Sequence, residues 1–361
     1  MWRCRTRTIL LGLSLFLLCA SSSAAREWVE EDFGQLPVAV YSFVPPGEAR
    51  PGEARTVIGE LSRHEPTTGD TFYDVGRYYG LGHNEMVGAN PDVDEWIPAQ
   101  GDEDIVLPTR WILPCCRYEG LVINIPEMRL YYYPPHKKGE PRTVITHAVG
   151  LGRTQWRTPQ GDFRITEKTV DPTWVIPESI RKERIEEKGL HDKMIKGGTP
   201  ENPLGRYRMR LSIPLYAIHG TNIPWGVGMS VSHGCIRMYP EDIDRLYPKT
   251  RVGTTGEFVY ETVKVGEMGG RIYVEAHEDI YGEQPGRWRH AVSVLEERGV
   301  LNLVDEQKLH TAVTEMRGIP IDVSRDDLDL IDPRPGAFRP LASNEIDADD
   351  SYPHPKPVAG S

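Results

Sequence analysis

The chain has 361 residues, is 39% hydrophobic, and carries 42 Lys and Arg against 53 Asp and Glu, a formal net charge of −11. That is enough apolar material for one large core or two smaller ones. An acidic chain of this size has no overall field with which to hold nucleic acid, which sets that class of partner aside.

Residues 1–25 read as a secretory signal. Arg3, Arg5 and Arg7 form a basic start, an apolar run covers 9–20, and Ser23, Ala24 and Ala25 offer small residues for cleavage. The run is too short for a membrane span, so no integral membrane segment is expected. Leu18 before Cys19 argues against a lipoprotein signal. Removing the segment takes away three arginines and no acids, moving the charge from −11 to −14. Cys115, Cys116 and Cys235 then remain in an exported protein. An odd count points away from a disulfide scaffold and towards at least one free thiol. Cys115 and Cys116 are neighbours, read either as ordinary small residues between domains or as a redox-labile pair.

Residues 26–56 read as a linker, because Pro46-Gly47-Glu48-Ala49-Arg50 repeats at once as Pro51-Gly52-Glu53-Ala54-Arg55. Residues 57–114 form a small α+β block. A helix capped by Asp70 or Thr71 is followed by a second helix stopped at Pro91, and a strand closes the block near 104–108. Residues 119–262 are dominated by strand signals: Leu121, Ile123 and Ile125 alternate with Val122 and Asn124, and 128–133 follows across a short turn. Further strands are expected at 144–149, 163–170, 215–218, 257–265 and 271–276, with a short helix at 241–247. The fold class is therefore mainly β, a sandwich or barrel. A charged helix at 178–188, with the loop 197–205, interrupts the pattern as a capping insertion or a solvated face. Residues 263–332 are an appendage, helical over 281–323, where Leu309, Ala312, Val313 and Met316 make one apolar stripe. The tail 333–361, with six prolines and the acids Asp347, Asp349 and Asp350, reads as disordered.

Chemistry concentrates in Ser232-His233-Gly234-Cys235-Ile236-Arg237 and the earlier pair His219-Gly220. A thiol attacks carbonyl carbon well only after losing its proton, and a histidine within reach can take that proton. Cys235 is the expected nucleophile and His219, at a strand end, the expected general base. His233 shares a face with Cys235 if the segment is extended, and reads as a brace in preference to a second base. Ser232 is expected to fix the loop by hydrogen bonding. Gly234 leaves room beside the sulfur, and the N–H groups of Gly234 and Cys235 are oxyanion donors in waiting. Arg237 suits either a substrate carboxylate or a structural salt bridge. A zinc site on His219, His233 and Cys235 is the competing chemistry. The tight spacing and the lack of CxxC or HExxH motifs speak against it, and neither metal nor cofactor is expected.

With HGTNIPWGVGMSVSHGCIRM at 219–238, the chain resembles the L,D-transpeptidases with a YkuD-type catalytic domain. The segments GLVINIPEMRLYYYP, GLGRTQWRTPQGDF, NPLGRYRMRLSIPLYAIHGTN and PEDIDRLY extend the likeness. Within 57–114, GDTFYDVGRYYGL, MVGANPDVD and DIVLP resemble a LysM domain, a module that binds the glycan of peptidoglycan or chitin. The likeness is to periplasmic Gram-negative members. It implies a β-sandwich catalytic domain at 119–262 behind a LysM-like domain, and a periplasmic enzyme acting on peptidoglycan stem peptides. Cys235 would form a thioester at diaminopimelate, with loss of D-alanine. It would then pass the acyl group to a diaminopimelate amine (a 3→3 cross-link) or to a lysine of an outer-membrane lipoprotein. His219 matches the family's proton carrier, the Gly220 carbonyl its orienting group, and a carbapenem is expected to acylate Cys235. The alternatives are a hydrolase or carboxypeptidase using the same cysteine, and a wall-binding protein without catalysis.

Overall fold

The computed structural model describes residues 26–327 other than 51, 102, 103, 116, 138 and 285. The signal segment 1–25, the tail 333–361 and Cys116 lie outside the described residues.

The chain enters through β1 (Tyr41–Phe43) and a small module of β2 (Val57–Gly59), β3 (Ser62–His64), α1 (Phe72–Tyr78), α2 (His83–Ala89), β4 (Ile105–Leu107) and β5 (Arg110–Ile112). β2 pairs with β5 and β3 with β4, both antiparallel. Thr71 caps α1, its hydroxyl accepting from the Asp74 N–H at 3.3 Å. Asp70 is instead buried, taking bonds from Trp28 and Thr67 and facing the His64 ring. The expected linker at 26–56 is partly built in: β1 pairs with an edge strand of the main sheet and Phe43 is buried.

The catalytic region contributes β6 (Gly120–Asn124), β7 (Arg129–Tyr133), β8 (Arg142–Ala148), β9 (Leu151–Gly152), β10 (Gly161–Val170) and β11 (Trp174–Val175). These are followed by α3 (Glu178–Lys188), β12 (Met194–Ile195), β13 (Tyr207–Leu211), β14 (Ala217–His219), β15 (Ser230–Ser232), β16 (Ile236–Arg237), α4 (Pro240–Leu246) and β17 (Thr255–Val259). The main sheet has nine strands in the order β1-β8-β7-β6-β17-β10-β13-β14-β16, and β9 pairs with β15 beside it. The mainly β expectation holds.

Alternation along the β6–β7 hairpin explains how the layers join. Leu121, Ile123, Leu130 and Tyr132 face one core with Ile218, Ile236 and Ile243. Val122, Tyr131 and Tyr133 face a second core with Phe72, Val75, Met86 and Trp111 of the module. Every residue of β7 is buried, as a strand covered on both faces must be. The module therefore covers the back of the catalytic sheet.

The strand expected at 257–265 divides in two. After β17 the chain steps to a second sheet of β18 (Val263–Met268), β19 (Arg271–Ala276) and β20 (Ile321–Asp322). Side-chain anchors fix the step, with Tyr260 bonded to Asp279 and Thr262 to Gln284. Helices α5 (Arg287–Glu297) and α6 (Glu306–Glu315) cover this sheet, so the appendage is α+β and not helical alone. Leu309, Ala312 and Val313 are buried, but Met316 ends α6 in a left-handed conformation and drops out of the stripe.

One ion knot ties three parts together. Lys264 is fully buried, with its Nζ 2.8 Å from both Glu127 and Glu275 and 2.6 Å from the Ile112 carbonyl. Burial opposes its charge, yet the two carboxylates hold the ammonium above its ordinary range. His277 also converges on Glu127 and Glu275, and the cation in that cluster is the chain's own lysine. Lys264→Met strands two buried carboxylates and is expected to lower unfolding free energy by about 3–5 kcal/mol in urea denaturation. Adding Glu127→Gln and Glu275→Gln is expected to recover part of that loss.

Candidate active site

The site forms where β14 and β16 lie parallel, with Ile218 opposite Ile236 and His219 opposite Arg237. The register is held by Met238 N–H to the His219 carbonyl (2.9 Å) and by paired bonds between Gly150 and Arg237 (2.9 Å each). Cys235 stands one residue before the first ladder pair. Its thiol therefore lies against the start of β14, donating to the Leu215 carbonyl at 3.5 Å. His219 is two residues further along that strand. Leu215 sits at φ +71° and is 88% exposed, which turns its carbonyl inward while its side chain stays in solvent.

His219 is buried, and its Nδ1–H donates to the Gly220 carbonyl at 2.6 Å. That bond sets the tautomer and leaves Nε2 as the proton acceptor. Burial first, then the positive charges of Arg237 and Arg208, pull its pKa down to about 4 despite the Gly220 bond. Burial pushes the Cys235 thiol up, with the Ala217 N–H, Arg237 and Arg208 working against that shift. Both shifts favour the uncharged forms, thiol and neutral imidazole.

The 232–235 segment is not extended. Ser232 folds it into a turn, its hydroxyl donating to the Cys235 carbonyl (2.6 Å) and accepting from Gly234 N–H (3.0 Å). The Gly234 N–H is thus already used, and of the two expected oxyanion donors only the Cys235 N–H is left to that role. The backbone gives Gly234 a further reason to be glycine. It adopts φ +102°, and an added Cβ would lie 2.7 Å from the Tyr216 ring. Thr158 holds the Gly234 carbonyl at 3.1 Å, and Thr158 is itself held by Tyr281.

His233 points away from the sulfur. Its Nε2 meets Glu183 of α3 at 2.5 Å, and Arg153 meets the same carboxylate at 2.5 Å. The three groups weighed as a metal set do not converge: among the described residues, the cluster of such groups close enough to share an ion is Glu127, Glu275 and His277. Arg237 makes no ion pair among the described residues, and its Nε is buried without a hydrogen-bond partner. Burial lowers its pKa, and the described residues supply no carboxylate to offset that.

The N-terminal module grips the loop that joins the two halves of the motif. His83 and Asn84 N–H donate to the Val227 and Gly228 carbonyls at 3.3 and 3.1 Å. A Cβ on Gly228 would lie 2.3 Å from Gly82 Cα, so the backbones touch. Glu85 anchors this contact, accepting from Gly82 N–H (2.7 Å) and pairing with Arg129 of β7 (2.7 Å). The residues that sequence reasoning missed are Tyr216, Thr158, Arg153, Glu183 and Gly228. Thr158 lies in one of the segments that carried the resemblance, whereas Glu183 looks like any charge on a solvated helix.

Residues 119–265 match the family model of the YkuD L,D-transpeptidase catalytic domain. The chain is 32% identical over 292 residues to a probable L,D-transpeptidase ErfK/SrfK of Salmonella typhimurium, covering 79% of this chain and 91% of that protein. It is 36% identical over 251 residues to a probable L,D-transpeptidase YbiS of Escherichia coli, covering 67% and 80%.

Two outcomes follow from this geometry. The unfolded chain binds a proton at the ordinary histidine value of 6.5, whereas folded His219 resists until about 4. Its contribution to stability is complete above 6.5 and is lost as pH falls towards 4, by roughly 3 kcal/mol. Unfolding free energies of wild type and His219→Gln between pH 7 and 4 should show the variant losing less on acidification. Gly234→Ala, forced to keep a left-handed backbone against Tyr216, is expected to cost about 1–3 kcal/mol in the same denaturation assay.

Proposed function

Because the chain belongs to the L,D-transpeptidase family, we propose that Cys235 carries a peptidoglycan stem-peptide acyl group as a thioester and passes it to an amine. The observation that carries this reading is the oriented, neutral His219 imidazole one strand from the thiol, beside an uncompensated guanidinium. Arg237 takes a carboxylate of the stem tetrapeptide and seats the diaminopimelate carbonyl over the sulfur. As Sγ attacks, its proton passes to His219 Nε2, and the Cys235 N–H faces the developing oxyanion. The carbon–nitrogen bond to the terminal D-alanine breaks, and His219 returns the proton to the leaving amine. An acceptor amine then attacks the thioester. His219 removes its proton and restores the thiol as the new amide forms. One acyl bond replaces another through the thioester, so the exchange needs no nucleotide.

The acceptor is a diaminopimelate amine of a second stem or a lysine of an outer-membrane lipoprotein. The module at 57–114 would hold the glycan strand while the sheet it covers does the chemistry. This activity belongs in the periplasm, reached through the signal segment 1–25. Among the described residues no helix is long and apolar enough to cross a membrane.

Intact-protein mass spectrometry with a stem tetrapeptide or a carbapenem is expected to show one adduct on Cys235 and none on Cys235→Ala. His219→Ala is expected to slow acylation by about 10²–10⁴-fold in stopped flow, and His233→Ala by far less. Products with a tripeptide-linked dimer or a lipoprotein-bearing fragment identify the acceptor. Free tripeptide alone would mean that water resolves the thioester, and no adduct at all would end the acyl-transfer reading.

A further inference from the structure

Helix α3 buries none of its residues. Only Ile180 and Ile185 of its apolar residues are half-buried, so its polar contacts bear much of its positioning. Most of those made by α3 stay inside the insertion. Arg181 bonds Glu178 at 2.6 Å, Arg184 approaches Asp192 at 3.7 Å, and its guanidinium lies 5.5 Å from the Trp174 ring. Among the described residues, Glu183 alone reaches from α3 to the loops of the acyl-transfer site. Its two oxygens are each 2.5 Å from a partner, Arg153 Nη2 and His233 Nε2. Both partners belong to the active-site framework. His233 lies inside the turn that carries Cys235, and its ring tilts against Trp156 at 5.4 Å. Arg153 follows β9 and donates its backbone N–H to the Ser232 carbonyl at 3.0 Å. Hydrogen bonds from Arg153 and then His233 hold the Glu183 carboxyl below its ordinary range.

We propose that Glu183 is a positioning residue. It latches the capping helix to the nucleophile turn, so that one carboxylate sets the seat of α3 and, together with Arg153, whose Nη2 also lies 2.9 Å from His233 Nε2, the orientation of His233. The inference rests on Cys235 being the acyl carrier. It also gives His233 a task separate from proton transfer: the histidine is the catalytic turn's half of the latch. A bulky acyl donor must pass between the helix and the turn, whereas a small thiol reagent need only reach the sulfur. Loss of the latch should therefore separate the two reactions.

The test uses the whole protein with Glu183→Ala and Glu183→Gln, and Glu178→Ala as the control on the same helix. Hydrogen exchange of the 178–188 amides is expected to rise about tenfold in Glu183→Ala and not in Glu178→Ala. Acylation of Cys235 by a carbapenem is expected to slow about tenfold, within the cost of a misplaced reacting group, while alkylation by iodoacetamide stays within about twofold of wild type. Glu183→Gln, which keeps shape and hydrogen bonding without the charge, should lie between and serves if the alanine variant fails to fold. Unchanged exchange in α3, equal effects from Glu178→Ala, or parallel losses with both reagents would overturn the latch. A wild-type protein that no carbapenem acylates would instead overturn the acyl-transfer reading, and the exchange measurement would still decide the latch.

Discussion

The chemistry of this chain depends on a parallel ladder two residues long. β14 and β16 meet only at Ile218–Ile236 and His219–Arg237, and that register sets His219 opposite Arg237, two residues past Cys235. A slip of one residue would turn His219 to the opposite face of the sheet. So short a pairing cannot hold itself, and its support comes from outside. Gly150 brackets Arg237 from one side, the buried Ile218 and Ile236 side chains fill the core beneath, and Ser232 and Thr158 close the turn.

Those supports are themselves held by distant parts of the chain. The β6–β7 hairpin is buried on both faces, so the N-terminal module and the catalytic sheet share one structural wall. From that wall Glu85 fixes the start of α2, and α2 fixes the Val227–Gly228 backbone between the two halves of the motif. Lys264 ties the same wall to the C-terminal sheet. Segments that look like accessories along the chain are, in space, the frame of the loop between His219 and Cys235.

The electrostatic design follows from burial. A buried imidazole at about 4 and a thiol pushed upward do not form a ready ion pair. The arginines nearby favour thiolate and disfavour imidazolium at once. On the proposed mechanism, charge develops only when a substrate carbonyl is present to accept the sulfur and a substrate carboxylate meets Arg237. A resting thiol is also a weaker target for stray electrophiles than a thiolate.

The amino-acid sequence by itself singled out the candidate chemistry-bearing residues, because Ser232-His233-Gly234-Cys235 and His219-Gly220 are local patterns of reactive residue types. It also determined the β-rich class, since period-two alternation is local, and the helix at 178–188. Only the tertiary structure decided that 41–43 is an edge strand, that 257–265 divides between two sheets, and that Gly234 packs against Tyr216. It alone gave His233 its partner, a helix carboxylate far away along the chain. The physical reason is common to all of these. Each depends on a partner more than a dozen residues away or on a backbone angle set by packing, and neither leaves a mark in the local order of residues.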